Sequence, residues 1–474
     1  MLGIVQRELG RPLEAERLMR RSIELDPSNP EYRSNLGRLL GGMGRHADGI
    51  VELEKALALA PAFRPARLAL ARLANEAGRF DLAEQHARTL IARDRCDHES
   101  WSALGTALYG RHLFAQARLA FETAVRLKPS YGAAHYQLAV VLAEDDHAEM
   151  ALEHVEHAAR FGVAHRELEL TRARALMKLD RYAEAECVLD ALVQAAPDDV
   201  TCQFLLAQLR HVRGDVDFAS ALRLAAERPG APQATRAMYA DVMRRCGAFD
   251  IAERVLRDLI AQHGPSPGLV SSLSTVLHDQ GRGVDAVELA RHALQARPED
   301  PVIAENFVAA MLSQGHAQEA LPVIERFRLA MPLDQRWITY RIDAGRQLRE
   351  WLADDWGDVE RLVQVYDLPP PAGYVDQDEF LGALTVALER RHRQRLHPLD
   401  QSMRQGTQTS RGLLVDSDPT IKAFLDALSE PIARYQAAIG HDPDHPLCAR
   451  NLTPARPIGC WSVRLKRGGF HVNH

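Results

Sequence analysis

The sequence predicts a mainly α-helical chain: an α-solenoid over residues 1–335, followed after a cap and a linker by a segment of different fold over residues 375–474. Two observations predict the solenoid. Small residues recur with a period of 34, and a proline often stands twelve residues after one of them. A third observation predicts the change of fold, because this periodicity stops near residue 336 and alternating apolar residues appear near the end.

Each period except the last holds two small residues, and we number the repeat so that they fall at positions 8 and 20. Position 20 is held by Ala15, Gly49, Ala83, Ala117, Ala151, Ala185, Ala219, Ala252, Ala286 and Ala320. Position 8 is held by Gly3, Gly37, Ala71, Gly105, Ala139, Ala173, Ala207, Ala240, Ser274 and Val308. Small residues let two antiparallel helices approach closely. The spacing therefore predicts ten helix pairs.

Prolines mark the ends of the second helices. They stand twelve residues after position 20, at Pro27, Pro61, Pro129, Pro197, Pro298 and Pro332. Proline stops a helix because it has no N–H to donate and clashes with the preceding turn. The spacing shortens to 33 between Ala219 and Ala252, where Pro229, Gly230 and Pro232 predict a bend.

The stretch Trp101–Pro129 shows the whole pattern, with Gly105 and Ala117 as small residues and Phe121 filling the space between turns. It resembles the tetratricopeptide repeat, W-x-x-L-G…A-x-x-x-F…P over 34 residues. The resemblance implies a right-handed superhelix whose first helices line a concave groove for a protein or peptide partner. On that side we place Arg38, Tyr109 and Tyr136.

The repeats are expected to end in a cap and a linker. Residues 336–367 are predicted as capping helices, with Trp337 to Val365 helical and Trp351 and Trp356 covering the last repeat. The proline-rich residues 368–374 are predicted as a linker.

Beyond the linker, two helices and a hairpin are predicted. The helices lie at about 376–395 and 418–438, on either side of a turn-rich segment, His397–Thr409. From Trp461 to Lys466 apolar and polar residues alternate, as in a half-buried strand. Arg467–Gly469 is then expected to turn the chain into a second strand.

The terminal residues FHVNH carry a candidate metal ligand. In a regular strand His471 and His474 point to opposite sides, and the i+2 partner of His471 is Asn473, a poor ligand. The pattern alone leaves a metal site and an ordinary hairpin open.

Three separated motifs add a second resemblance. His397–Thr409, the dipeptide at 445–446 and Trp461–His474 together resemble a bacterial family of 2-oxoglutarate/Fe(II)-dependent oxygenases, often preceded by tetratricopeptide repeats. Cys460 stands where that family more often has serine. The resemblance implies the N-terminal part of a double-stranded β-helix (jelly roll), with Fe(II) and 2-oxoglutarate as cofactors of the complete enzyme. It assigns His474 as the first iron ligand.

By the same resemblance the remaining ligands would lie beyond His474. We therefore expect a chain that is catalytically incomplete, binds neither cofactor and opens inside a repeat. Two functions fit the sequence, and the resemblance favours the first for the complete protein. One is an oxygenase whose solenoid recruits a protein substrate, and the other is a scaffold that binds a peptide in its groove.

Other candidate sites have plainer explanations. His154 and His157 lie three apart on a helix, and a solvated helix face is favoured over a metal site. The basic run 389–397 lacks aromatic residues, which favours a solvated helix end over phosphate binding. For the run 441–445, two turns explain HDPDH as well as a metal would.

Composition excludes several classes of protein. The net charge of −6 gives no reason to expect nucleic-acid binding, and the run of apolar residues needed to span a membrane is missing. The sequence contains no phosphate-binding P-loop, no dinucleotide-binding glycine motif and no nucleophile elbow. The six cysteines show no disulfide-framework spacing, so a reducing cytoplasm is the expected location.

Overall fold

The computed structural model describes residues 2–332, 334–350, 359–445, 447–455, 457 and 459–471. The chain divides into two compact units, Met1–Leu179 and Asp180–His474. The first unit contains α1 (Leu2–Glu8), α2 (Pro12–Leu25), α3 (Pro30–Gly42), α4 (His46–Leu59), α5 (Arg64–Glu76), α6 (Phe80–Arg93), α7 (His98–Gly110), α8 (Phe114–Leu127), α9 (Gly132–Glu144), α10 (Ala148–Arg160) and α11 (Arg166–Lys178).

The second unit continues the helix pairs and adds the C-terminal segment. Its paired helices and the helix that follows them are α12 (Tyr182–Ala195), α13 (Val200–Arg213), α14 (Ser220–Glu227), α15 (Gln233–Arg245), α16 (Phe249–His263), α17 (Pro267–Asp279), α18 (Gly283–Ala296), α19 (Pro301–Ser313), α20 (Ala317–Ala330) and α21 (Gln335–Leu348). The C-terminal segment has α22 (Val359–Leu362), α23 (Gln377–Glu389), α24 (Pro419–Ala427), α25 (Ser429–Ile439) and the strands β1 (Met403–Gln408) and β2 (Val463–His471).

Within each unit, the predicted helix pairs are confirmed by the packing of their small residues. Every residue at positions 8 and 20 is buried. A Cβ atom on Gly105 would lie 2.5 Å from Cε1 of Phe121, and one on Gly37 would lie 2.8 Å from the carbonyl oxygen of Gly49. A larger side chain would therefore push the two helices of a pair apart.

A left-handed residue follows the first helix of each repeat, at position 15. Glycine supplies it in seven repeats: Gly10, Gly44, Gly78, Gly214, Gly247, Gly281 and Gly315. His112, Asp146 and Asp180 take the same conformation in the other three, with φ of 59°, 57° and 57°. These residue types tolerate the left-handed region better than most. This repeat signal was not used in the sequence prediction.

The predicted bend between Ala219 and Ala252 is confirmed. Gly230 is left-handed with φ of 77°, and Ala219 stands just before the shortened helix α14 rather than inside it.

Of the capping helices predicted over residues 336–367, the described residues contain α21 and the short helix α22. Trp337 is 1 % exposed on α21 and stacks on Phe327, with 4.7 Å between ring centroids. The predicted helix through Val365 is wrong, because Arg349 is left-handed with φ of 55° and ends α21. Trp351 and Trp356 lie outside the described residues.

The predicted domain limits at 335 and 368–374 stay predictions, and the compact unit that begins at Asp180 spans both. Within the predicted linker, Tyr374 packs on Phe380 and donates to Oγ1 of Thr420 at 2.9 Å. This tyrosine ties the linker to a small core around Phe380.

Two predicted helices of the C-terminal segment differ from those observed. The helix predicted over 376–395 ends at Glu389, and the one predicted over 418–438 is two helices that meet at Leu428. The turn-rich segment 397–409 contains strand β1.

The predicted hairpin is also wrong. Strand β2 pairs antiparallel with β1, and the partners step from Arg404↔Phe470 to Gly406↔Leu465. Residues 466–469 therefore bulge opposite one residue of β1 instead of turning the chain. Leu465 and Phe470 are 44 % and 52 % exposed, so the expected half-buried alternation is wrong as well. Within the described residues β1 and β2 form a two-stranded sheet, and the predicted jelly roll is not shown there.

Candidate functional site

The residues predicted to bind a partner lie on first helices of the first unit. Arg38 is exposed on α3 at position 9, Tyr109 is half-buried on α7 at position 12, and Tyr136 is half-buried on α9 at position 5. We call the surface formed by positions 5, 9 and 12 of the first helices the first-helix face.

The two tyrosines share one environment. Burial raises the pKa of Tyr136 above its ordinary value, with further increases from Glu167 and Tyr109, whereas Arg174 lowers it. Burial also raises the pKa of Tyr109, and Arg174 again lowers it. Both side chains are therefore neutral hydroxyls at pH 7. The Tyr136 ring is held by an edge contact to His165, 4.6 Å between centroids.

Arg174 is the residue that the sequence analysis missed. It is exposed on α11 at position 9, the position of Arg38 in an earlier repeat. Among the described residues, neither Arg38 nor Arg174 forms an ion pair or a side-chain hydrogen bond, whereas Arg72, at the same position, donates to Glu99 at 2.8 Å. Repeat position alone would have identified Arg174.

A histidine cluster lies between α9 and α10. Nδ1 of His135 is 2.9 Å from Nδ1 of His154, and Nε2 of His135 is 2.9 Å from the carbonyl oxygen of Pro129. Because a carbonyl only accepts, Nε2 of His135 carries the hydrogen. Nδ1 of neutral His135 then accepts from His154. His157 completes the cluster, 5.0 Å from His135 between ring centroids.

The cluster has a structural explanation. Arg67 stands at the same repeat position two repeats before His135, and it likewise contacts His86 on its second helix and donates to the carbonyl of Pro61 at 2.6 Å. In the described residues no three histidine, cysteine or acidic side chains are grouped to hold a metal. His154 is therefore a packing residue rather than the solvated histidine that the sequence suggested.

The basic run 389–397 is solvated only in part, because Glu389, Arg390, Arg393 and Arg395 are exposed and the other residues have polar partners or are buried. The ring nitrogens of His392 lie 2.9 Å from Oγ1 of Thr407 and 3.0 Å from Oγ of Ser462. Thr407 belongs to β1, and Ser462 directly precedes β2. Arg391 forms an ion pair with Asp416, and His397 is buried. These polar partners were not visible from the sequence because they lie 15 to 70 residues away.

The run 441–445 forms a turn. Nδ1 of His445 accepts from the backbone N–H groups of Leu447 and Cys448, both at 3.1 Å. That nitrogen is therefore committed to the backbone and is not a free metal ligand.

The predicted iron ligand His474 lies outside the described residues. The described residues supply no set of three side chains suited to a metal, so they do not provide a ligand set for Fe(II). None of the described helices combines the length and apolar composition needed to cross a bilayer.

Comparison with known structures gives weak similarities. Yeast Tom70 is 14 % identical with a TM-score of 0.44, covering 77 % of this chain and 98 % of that one. PilF of Pseudomonas aeruginosa is 23 % identical with a TM-score of 0.38, covering 46 % and 98 %. A tetratricopeptide protein of Thermus thermophilus is 23 % identical with a TM-score of 0.33, covering 41 % and 99 %.

A search among curated proteins gives no match. Two family models of the tetratricopeptide repeat do match the chain, one over residues 42–108 and the other over residues 102–161 and 170–234. The matched residues include α7, α9 and most of α11, which carry Tyr109, Tyr136 and Arg174. Within residues 42–234, this chain therefore contains tetratricopeptide repeats.

Proposed function

We propose that this chain is an interaction scaffold that binds an extended peptide or protein segment on the first-helix face of its first unit. The observation that carries the proposal is the patch formed by Tyr109, Tyr136 and Arg174. It combines two half-buried aromatic rings with an exposed guanidinium that has no described ionic partner.

The chemistry of the patch suggests its ligand. Tyrosine and arginine are the residue types that contribute most to binding at protein interfaces. Tyrosine offers a rigid apolar ring with a polar hydroxyl, and arginine binds a carboxylate with two parallel hydrogen bonds. The matching partner is an extended segment with an apolar or aromatic side chain near an aspartate or glutamate. Arg38 would add a second contact for an acidic group.

An oxygenase activity, with Fe(II) and 2-oxoglutarate, is supported only by the sequence resemblance in the C-terminal segment. The described part of that segment holds a two-stranded sheet and no grouped metal ligands. The helix pairs favour the scaffold, and we derive no catalytic step for this chain.

Peptide binding tests the scaffold function. The full chain is screened on an array of random 12-residue synthetic peptides, and the dissociation constant of the strongest binder is measured with two variants. We expect Tyr136→Ala and Arg174→Glu each to weaken binding at least tenfold, about 1.4 kcal/mol. The effect of Arg174→Glu should shrink in high salt, because charges at the surface are screened.

Arg160→Glu is the matched control. Arg160 is exposed on the second helix α10 and has no ion pair among the described residues. The same charge reversal there should leave the dissociation constant within twofold of wild type. Equal weakening by both arginine variants would show a nonspecific charge effect and overturn the proposal.

A further inference from the structure

We infer that the surface of α13 and α15 is a second peptide-binding site, occupied by the chain's own residues 393–400, which a partner must displace. We call residues 393–400 the docked segment. The inference rests on the proposed scaffold function and extends it to the second unit, in which the segment and both helices lie.

The docked segment is anchored through its backbone. The N–H groups of Arg395 and Leu396 donate to the carbonyl oxygen of Val212, at 2.7 and 3.3 Å. Val212 lies in the last turn of α13, where helix carbonyls have no partner within the helix. Gly214 lets the segment approach, since a Cβ there would lie 3.2 Å from Cδ of Arg395. The segment thus completes the end of this helix.

A leucine fills an apolar site next to this anchor. Leu399 is 0 % exposed and belongs to the same core cluster as Val242 and Met243 of α15. Nη1 of Arg245 donates to the carbonyl oxygen of Leu399 at 3.1 Å. Nε2 of Gln208 donates to Oδ1 of Asp400 at 3.1 Å. The surface therefore binds an apolar side chain followed directly by a carboxylate.

Repeat position identifies this surface as part of the first-helix face. On α13, Gln208 stands at position 9 and His211 at position 12, which are the positions of Arg38 and Tyr109 in the first unit. Gln208 bonds Asp400, and the His211 ring lies 5.2 Å from that of His397. In the first unit we propose that these positions bind a partner. In the second unit they contact the docked segment of the chain itself.

The contact leaves polar atoms unsatisfied. His211 is 5 % exposed, and neither of its ring nitrogens has a hydrogen-bond partner among the described residues. Nε2 of His397, a residue 8 % exposed, is in the same situation. A buried polar atom without a partner opposes binding. A peptide that keeps the leucine and aspartate but offers His211 a hydrogen bond would displace the docked segment.

A synthetic peptide tests the occupied site. The probe is a fluorescently labelled peptide with the sequence of residues 393–401, added to the full chain. Wild type should bind it weakly, because the site is filled. Leu399→Ala removes the apolar anchor of the chain's own segment, so this variant should bind the probe at least tenfold more tightly. Leu381→Ala, an exposed leucine on α23, should bind it like wild type.

A second variant tests the inference even if Leu399→Ala disturbs the core. Asp400 is exposed, and Asp400→Ala removes its bond to Gln208 without opening a cavity. This variant should bind the probe about threefold more tightly. Unchanged binding in a folded Leu399→Ala and in Asp400→Ala would overturn the inference. The peptide-array experiment with Arg174→Glu tests the first unit only. A failure of the scaffold proposal can therefore be distinguished from a failure of this inference.

Discussion

At the scale of single residues, buried histidines make the stability of this chain depend on pH. Burial is the main cause that lowers the pKa of His154 to about 4 and that of His211 to about 4. Nearby groups add to the shift, namely His135 for the first and His397 and Arg404 for the second. Both residues are therefore uncharged in the folded chain at neutral pH.

The direction in which pH changes the stability follows from the numbers of protons that the folded and the unfolded chain bind. Between the ordinary histidine pKa of 6.5 and about 4, the unfolded chain binds protons that the folded chain does not. We therefore expect stability to be full above pH 6.5 and to fall as the pH drops towards 4. The loss should be on the order of 1–3 kcal/mol for each histidine. Urea midpoints at pH 7.5 and 5.0 measure it.

A matched pair of variants tests this explanation. His211→Leu should reduce the loss between the two pH values, whereas His292→Leu, at an exposed site on α18, should leave it unchanged. A loss that is the same in both variants would contradict the role of His211.

Residue placement was predictable where repeat position determines it. The sequence placed Arg38, Tyr109 and Tyr136 on first helices, and the structure has them there. The contact between His135 and His154 was missed, because the two residues lie 19 apart and meet only when the helices of the pair pack together.

At the scale of elements, close packing within a helix pair is the main constraint. In α3, a Cβ on Gly37 would lie 2.7 Å from Cγ of Leu53 and 2.8 Å from a backbone oxygen, whereas one on Gly42 meets nothing within 4 Å. We expect Gly37→Ala to lower the free energy of unfolding by about 1–3 kcal/mol. Gly42→Ala should be neutral or slightly stabilising, because alanine favours a helix more than glycine does. Chemical denaturation compares the two, and equal effects would contradict the close approach.

Elements were predictable when their signal was local and repeated. The period of small residues predicted the helix pairs because each pair needs the same close approach. Strand β1 was missed because its sequence, MRQGTQ, shows no apolar alternation, and its pairing partner lies about 60 residues away. The glycines at 468 and 469 suggested a hairpin turn, and the structure uses them in a bulge.

At the scale of the whole molecule, the same positions of the first helices have a different role in each unit. In the first unit this face presents Tyr109, Tyr136 and Arg174, and in the second unit it holds the docked segment. The sequence did not predict the second arrangement, because docking depends on tertiary contacts of an irregular segment. The oxygenase resemblance covers residues 375–474, which include the docked segment, and it carried no information about where that segment packs.

The most direct measurement is photo-crosslinking of the strongest array peptide, made with a benzophenone side chain, to the full chain. Mass spectrometry then maps the attached residues. We expect adducts on the first helices α7, α9 and α11, within reach of Tyr109, Tyr136 and Arg174. Adducts confined to the second helices α8 and α10, or found only outside the first unit, would contradict binding on the first-helix face.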